Sequence, residues 1–129
     1  SVGWSQWAAL RTSVFGELAR LKSVYGALGS INFTGQSLGG ALAQYAAYEY
    51  VKQESAPLPN NVPSTFDKSK VTLTTFNGLG AVWGLQANGG YDPTVLAGIG
   101  ASTHYVVAND LGSVLNQAKP CMPNGIVVE

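Results

Sequence analysis

The stretch INFTGQSLGGALAQYAAYEY, from Ile31 to Tyr50, limits the possible folds of this chain more than any other stretch. Its first residues are apolar and β-branched, which favours a short buried strand, and its alanine-rich end favours a helix. The intervening turn, GQSLG, holds Ser37 between Gly35 and Gly39. The sequence therefore predicts a strand that turns sharply into a helix, with Ser37 at the corner.

Helices and strands alternate along the rest of the chain. Apolar residues between Trp4 and Tyr25 recur at spacings of three, four and seven, which predicts an amphipathic helix that stops near Gly26. Strands are predicted in VTLTTFN, in THYVVAND and, at a sheet edge, in GIVVE. A short helix is predicted from about Pro93 to Ala97, and a helical turn in LGSVLNQ. This order predicts an α/β fold in which helices flank a parallel sheet.

The composition excludes several classes of function. Seven basic and seven acidic side chains give a formal net charge of zero, which leaves no electrostatic footprint for nucleic acid. No apolar run reaches the roughly 18 residues that a transmembrane segment needs. The single cysteine, Cys121, permits no internal disulfide framework and fits no zinc-binding spacing. Since 46% of the residues are apolar, we expect residues 1–129 to form a single domain with its own core.

Two polar side chains come at the ends of predicted strands. Ser37 directly follows the first strand, and Asp110 ends the third, THYVVAND. Right-handed crossovers place the carboxyl ends of parallel strands at one edge of the sheet, where such sheets bind ligands and react. We therefore expect Ser37 and Asp110 at the same edge, with their side chains roughly 6 to 9 Å apart, which leaves room for one imidazole ring.

The turn around Ser37 matches the pattern G-x-S-x-G, which between a strand and a helix forms a nucleophile elbow. Such a turn forces the serine into strained backbone angles and exposes its hydroxyl. We expect Gly35 and Gly39 to be required, because a Cβ at either position would collide with the neighbouring strand or helix. The amide of Leu38, at the helix N-terminus, is placed to donate to a developing oxyanion. A simple Gly-Ser turn between a strand and a helix is the structural alternative.

Three segments of the chain resemble the class 3 lipases, which are α/β-hydrolases. INFTGQSLGGALAQYAA looks like the family's elbow, G-H-S-L-G-G followed by A-L-A, with Gln36 in place of the histidine. TLTTFNG is similar to the strand after the nucleophile helix, and HYVVANDLGSVL to the strand that ends in the catalytic aspartate. The resemblance covers most of residues 5–118. It implies a partial α/β-hydrolase core, which we expect to be incomplete at both ends.

The resemblance implies a serine carboxylic ester hydrolase of the lipase or esterase type, with an acyl-enzyme intermediate. Carried over by position, Ser37 is the nucleophile, Asp110 the triad acid, and the Leu38 N–H one donor of the oxyanion hole. The resemblance also implies a lipid or small ester substrate, no metal or organic cofactor, and a secreted or extracellular location. Two parts of the family's pattern are not found in the sequence. One is the histidine after the aspartate, and the other is the upstream strand that brings the second oxyanion donor. We therefore expect the remainder of the polypeptide or a second chain to supply both.

His104 is the only histidine and hence the alternative base. The predicted strand places it six residues before Asp110, or about 20 Å away, toward the opposite edge of the sheet. A general base must lie within about 3 Å of the serine hydroxyl. A histidine at the start of a strand is therefore the favoured interpretation, and we expect the 129-residue chain alone to be inactive. The alternative function is a non-catalytic hydrolase-like module or a fragment of a larger protein, and acyl transfer by the same serine also stays open.

Overall fold

The computed structural model describes residues 3–26 and 29–106, and the backbone of residues 126–128. In these residues, four strands form one parallel sheet in the order β1-β2-β3-β4. The strands are β1 (Ile31–Gln36), β2 (Val71–Phe76), β3 (Ala101–Tyr105) and β4 (Ile126–Val128). The α-helices of the same residues are α1 (Trp4–Tyr25), α2 (Leu38–Ser55) and α3 (Val82–Ala87). The predicted α/β class with a parallel sheet and flanking helices is confirmed, and β4 is an edge strand of this sheet as expected.

The helix α1 packs against α2 along its apolar side. Trp7 is only 1% exposed, and its ring meets that of Phe15 edge-on, with the centroids 5.8 Å apart. Arg11 forms an ion pair with the buried Glu49 of α2, which ties the two helices together. The helix ends at Gly26, whose φ of 72° is a conformation that glycine accepts without strain.

The helix α2 is buried on almost every side. Every residue from Ala43 to Val51 is buried, including Gln44 and Glu49. The spacing of Leu42, Tyr45, Ala46 and Glu49 in the sequence predicts burial along one side of this helix only. The structure differs because the small alanine side chains let α2 fit closely between α1 and the strands β1 and β2, and because α3 also approaches it at Tyr45.

Two sequence predictions in the second half of the chain are wrong. Residues 93–97 form turns rather than a helix, because the Val95 N–H donates to the Asp92 carbonyl and the Ile99 N–H to the Leu96 carbonyl, and each of these bonds closes a four-residue turn. The short helix is α3, which precedes this segment. The strand predicted over residues 103–110 begins at Ala101 and ends at Tyr105, and Val106 lies outside it. Residues 107–110 and the predicted helical turn LGSVLNQ lie outside the described residues.

The two faces of the sheet differ in character. The face toward α2 carries buried side chains of β1, β2 and β3, namely Phe33, Val71, Leu73, Thr75, Ser102 and His104. The opposite face is polar, and there the hydroxyl of Thr72 donates to the Asn32 side chain at 2.7 Å. At the carboxyl end of this second face, the exposed rings of Phe76 and Tyr105 stack with their centroids 5.1 Å apart. In the described part of the chain, no helix is both long and apolar enough to cross a membrane.

Candidate active site

Ser37 occupies the corner between β1 and α2 in a strained backbone conformation. Its φ is 54° and its ψ is −122°, a combination that non-glycine residues rarely adopt. The Ser37 N–H donates to the Phe76 carbonyl of β2 at 3.0 Å, and the Ser37 carbonyl accepts from the N–H groups of Gly40 and Leu79. The residue is exposed at the carboxyl end of β1. The geometry expected of a nucleophile elbow is therefore present.

The glycines around Ser37 do not contribute equally to this turn. An added Cβ on Gly35 would overlap the Gly39 carbonyl group and lie 2.8 Å from the Gly40 nitrogen, so β1 and α2 can cross only if residue 35 is glycine. An added Cβ on Gly39 would meet no atom of the described residues within 4 Å, so the expected collision with the neighbouring strand or helix is wrong for Gly39. The second close approach is instead at Gly40, where an added Cβ would lie 2.5 Å from the Gly78 Cα.

The backbone amide of Leu38 is available at the start of α2. Leu38 is the first residue of the helix, and the first N–H groups of a helix have no acceptor within it. Among the described residues, no hydrogen bond uses this N–H. The positive end of the helix dipole adds to its power to stabilise an anion beside Ser37. The position suits an oxyanion donor.

Asp110 lies outside the described residues, so its distance from Ser37 remains a prediction. The carboxyl end of β3 nevertheless lies at the edge of the sheet where Asp110 is expected. Tyr105, the last residue of β3, pairs with Phe76, and Phe76 pairs with Gln36, the residue before Ser37. The chain therefore leaves β3 at the edge where Ser37 is exposed.

His104 is the fourth of the five residues of β3, so the expectation that it lies at the start of its strand is wrong. In the sheet it pairs with Thr75, and Thr75 pairs with Gly35, two positions before Ser37. Measured along the direction of the strands, His104 is therefore close to the elbow. It is two strands away, however, and two strand spacings amount to about 10 Å.

Both ring nitrogens of His104 bond to buried hydroxyl groups below the elbow. Nδ1 lies 2.6 Å from Thr75 Oγ1, and Nε2 lies 3.3 Å from Ser102 Oγ. Burial lowers the pKa of His104, so the imidazole is neutral at neutral pH, with one nitrogen donating and the other accepting. The structure thus directs this histidine toward Thr75 and Ser102 and not toward Ser37.

The Thr75 hydroxyl was not singled out by the sequence, although its position connects His104 to the elbow. An added Cβ on Gly78 would lie 2.9 Å from Thr75 Cβ, and one on Gly40 would lie 3.4 Å from the same atom. The Thr75 side chain therefore lies close to both Gly40 and Gly78, at the point where the backbones of these two glycines approach each other. The available signal was the glycine directly after VTLTTFN, which suits a close backbone approach.

Two cavities lie away from Ser37. One, of about 340 Å³, is at the amino ends of β1 and β2, and the other, of about 230 Å³, is between the three helices. Neither is lined by Ser37 or Leu38. Ser37 itself is exposed among the described residues.

The comparison with protein families agrees with this geometry. The sequence model of the lipase (class 3) family matches residues 2–78, which contain α1, β1, Ser37, α2 and β2. No curated protein and no solved structure matches the chain. The matched residues make up more than half of the sequence and include the whole elbow. The chain therefore belongs to the class 3 lipase family.

Proposed function

We propose that this chain is the nucleophile-bearing part of a serine carboxylic ester hydrolase that acts on lipid or small ester substrates. The observation that carries the proposal is the backbone of Ser37, held at φ 54° and ψ −122° on an exposed corner. A strained conformation of this kind costs about 1–3 kcal/mol and persists where the surrounding structure imposes it, as at functional sites. The N–H of Leu38 beside it, which no hydrogen bond uses within the described part of the chain, supports the same role.

In the proposed reaction, a histidine base takes the proton of Ser37 Oγ as this oxygen attacks the ester carbonyl carbon. The carbonyl oxygen becomes an oxyanion and accepts a hydrogen bond from the Leu38 N–H. The bond to the alkoxy oxygen then breaks, and the alcohol leaves with the proton returned by the histidine. Water attacks the acyl-enzyme in the same way, which releases the carboxylic acid and restores Ser37.

The base and the acid of this mechanism are proposed from the family resemblance. Asp110 would orient the base. This assignment is supported by the position of the end of β3, which lies at the edge of the sheet where Ser37 is exposed. The base itself would be a histidine from the remainder of the polypeptide or from a second chain, because both nitrogens of His104 already bond to Thr75 and Ser102. No step of the proposed reaction requires a metal or an organic cofactor.

The test is to label the 129-residue chain with a fluorophosphonate, with and without added imidazole, and to identify the modified peptide by mass spectrometry. Loss of the base typically costs about 10⁴ to 10⁶ in rate, so we expect slow labelling that free imidazole accelerates. The modification should be on Ser37, absent in Ser37→Ala and unchanged in Ser13→Ala, which alters an exposed serine of α1. Imidazole-dependent labelling that persists in Ser37→Ala would contradict the proposal.

A second candidate function is a non-catalytic module that retains the elbow as part of its fold. The engagement of His104 by two buried hydroxyl groups favours it. The two candidates differ in the reactivity of Ser37: a module should show no labelling at Ser37 with or without imidazole. Fast labelling without imidazole that is lost in His104→Gln would instead make His104 the base.

A further inference from the structure

The side chain of Gln44 is buried beside the elbow and bonds to two separate segments. Gln44 lies on α2 and is only 1% exposed, although glutamine is mostly found at the surface. Its Nε2 donates to the Gly40 carbonyl at 3.0 Å and to the Leu79 carbonyl at 2.8 Å. The two hydrogens of an amide nitrogen point in fixed directions within one plane. Gln44 therefore holds the first turn of α2 at a set distance from the segment after β2.

The two residues that Gln44 bonds also hold the backbone of Ser37. The Ser37 carbonyl accepts from the Gly40 N–H at 2.9 Å and from the Leu79 N–H at 3.2 Å. One donor comes from α2 and the other from the segment after β2, so both bonds persist only while these two segments stay in place. Gln44 bonds to the carbonyl of each donor residue and thereby secures both bonds, although it lies outside the G-x-S-x-G pattern.

The contact between α2 and the segment after β2 has no side chains at its closest point. An added Cβ on Gly40 would lie 2.5 Å from the Gly78 Cα, so this approach requires glycine. Two glycines have no side chains that could interlock and fix their relative position. The directional hydrogen bonds of Gln44 supply that restraint instead.

The orientation of the Ser37 carbonyl decides where the Leu38 N–H points. The two groups belong to the same peptide unit, which is planar and, like the other peptide bonds of the described residues, trans. In a trans unit the N–H points away from the C=O, so bonds that fix the carbonyl also fix the N–H. An oxyanion donor is effective when it is aimed at the developing charge before the reaction begins.

We propose that Gln44 is a positioning residue for the oxyanion hole. Through its two hydrogen bonds, it fixes the peptide unit between Ser37 and Leu38 and so directs the N–H of this unit. The inference rests on the proposed ester hydrolysis, in which this N–H stabilises the oxyanion. Gln44 is buried and affects the substrate only through the backbone of the elbow.

The experiment compares the rates at which a fluorophosphonate labels Ser37 in variants of the 129-residue chain, with imidazole as the added base. Rates are expressed per folded molecule, with the folded fraction taken from circular dichroism. Gln44→Met keeps the length of the side chain and removes both donors. We expect labelling to slow about tenfold, which is a part of the loss of about 10² to 10³ that removal of a whole oxyanion donor causes.

Tyr48→Phe is the matched control. Tyr48 is also buried on α2, and its hydroxyl accepts from the Asp92 N–H at 2.9 Å. The variant therefore removes a hydrogen bond between α2 and a loop, as Gln44→Met does, but this bond does not involve the elbow. We expect lower stability with an unchanged labelling rate.

Gln44→Glu is a second variant, with the same shape and a pH-dependent number of donors. A buried carboxyl group has a raised pKa, and its protonated form can donate to one of the two carbonyls, whereas the carboxylate can donate to neither. The labelling rate relative to the unsubstituted chain should be intermediate at acidic pH and should fall as the pH rises. Titration of imidazole and of His104 affects both proteins and cancels in this ratio.

Equal labelling rates in Gln44→Met and the unsubstituted chain would overturn the assignment. It would also be overturned by a pH-independent ratio in Gln44→Glu, or by the same loss of rate in Tyr48→Phe, which would make the loss a general effect of weakening α2. If Ser37 of the unsubstituted chain is not labelled at all, the proposed hydrolysis is contradicted, and this inference with it. The unsubstituted chain thus distinguishes the two failures.

Discussion

The two glycines of the G-x-S-x-G pattern should respond in opposite directions to replacement by alanine. At Gly35 the new Cβ would overlap the Gly39 carbonyl group and lie 2.8 Å from the Gly40 nitrogen. These are backbone atoms of α2, so the clash is relieved only if the start of the helix moves away from β1. At Gly39 the new Cβ would meet no atom of the described residues within 4 Å, and alanine is the better helix former.

Overpacking of a well-packed site costs about 1–3 kcal/mol, and more where backbone atoms must move. We therefore expect Gly35→Ala to lower the free energy of unfolding by about 3 kcal/mol or more. Gly39→Ala should raise it by up to about 1 kcal/mol. At about 4 °C per kcal/mol for a domain of this size, the melting temperature should fall by about 12 °C or more in the first variant and rise by up to about 4 °C in the second.

The assay is thermal unfolding followed by circular dichroism, with urea unfolding as an independent measure of the free energy. Fluorophosphonate labelling of the folded variants adds a test of the site, since movement of α2 away from β1 would also displace the Leu38 amide. Equal destabilisation by Gly35→Ala and Gly39→Ala would refute the crossing geometry, and so would an unchanged melting temperature in Gly35→Ala.

Three further predictions can be tested by unfolding measurements. They concern the titration of His104, the Arg11–Glu49 ion pair and Gly78 after β2. Burial lowers the pKa of His104 below its ordinary 6.5. The unfolded chain therefore takes up a proton that the folded chain excludes, and the free energy of unfolding should decrease as the pH falls below about 6.5. Urea unfolding at about pH 7.5 and about pH 5 should show a smaller decrease in His104→Gln. Glu49→Gln should lower the free energy of unfolding by about 1–2 kcal/mol in urea titrations, less than for a fully buried pair because Arg11 reaches solvent. Glu17→Gln, in an exposed pair on α1, should leave it nearly unchanged. Gly78→Ala should lower the melting temperature by several degrees in circular dichroism, because its Cβ would lie 3.2 Å from the Gly40 Cα and closer still to Thr75.

The elbow and the elements before it could be predicted because their signals are local. The apolar spacing from Trp4 to Tyr25 and the stop at Gly26 gave α1 with its observed bounds. The β-branched start at Ile31 and the alanines after Ser37 gave the strand and the helix on either side of the turn. In each case, the local preference and the tertiary environment favour the same structure.

The region after β2 was predicted less well because tertiary contacts decide its structure. Nothing local marks Val82 to Ala87 as a helix, and its place is set by the close approach of Gly84 to the Tyr45 hydroxyl group. The start of β3 is similarly fixed by the Gly100 N–H, which donates to the Val71 carbonyl at 2.8 Å. The two-residue shift of this strand moved His104 from its expected place at the start of the strand to one near the carboxyl end.

The strain at Ser37 is maintained by residues far from it in sequence. Its N–H is held by the carbonyl of Phe76 in β2, and its carbonyl by the N–H of Leu79 in the following loop. Gly78, between these two, presses against Gly40 in the first turn of α2. The family match extends to residue 78 and thus includes nearly all of this support, although the G-x-S-x-G pattern ends at residue 39. It follows that β2 and the turn after it are part of the elbow, because they supply two of the three hydrogen bonds that hold the Ser37 backbone within the described residues and so oppose its relaxation to ordinary backbone angles.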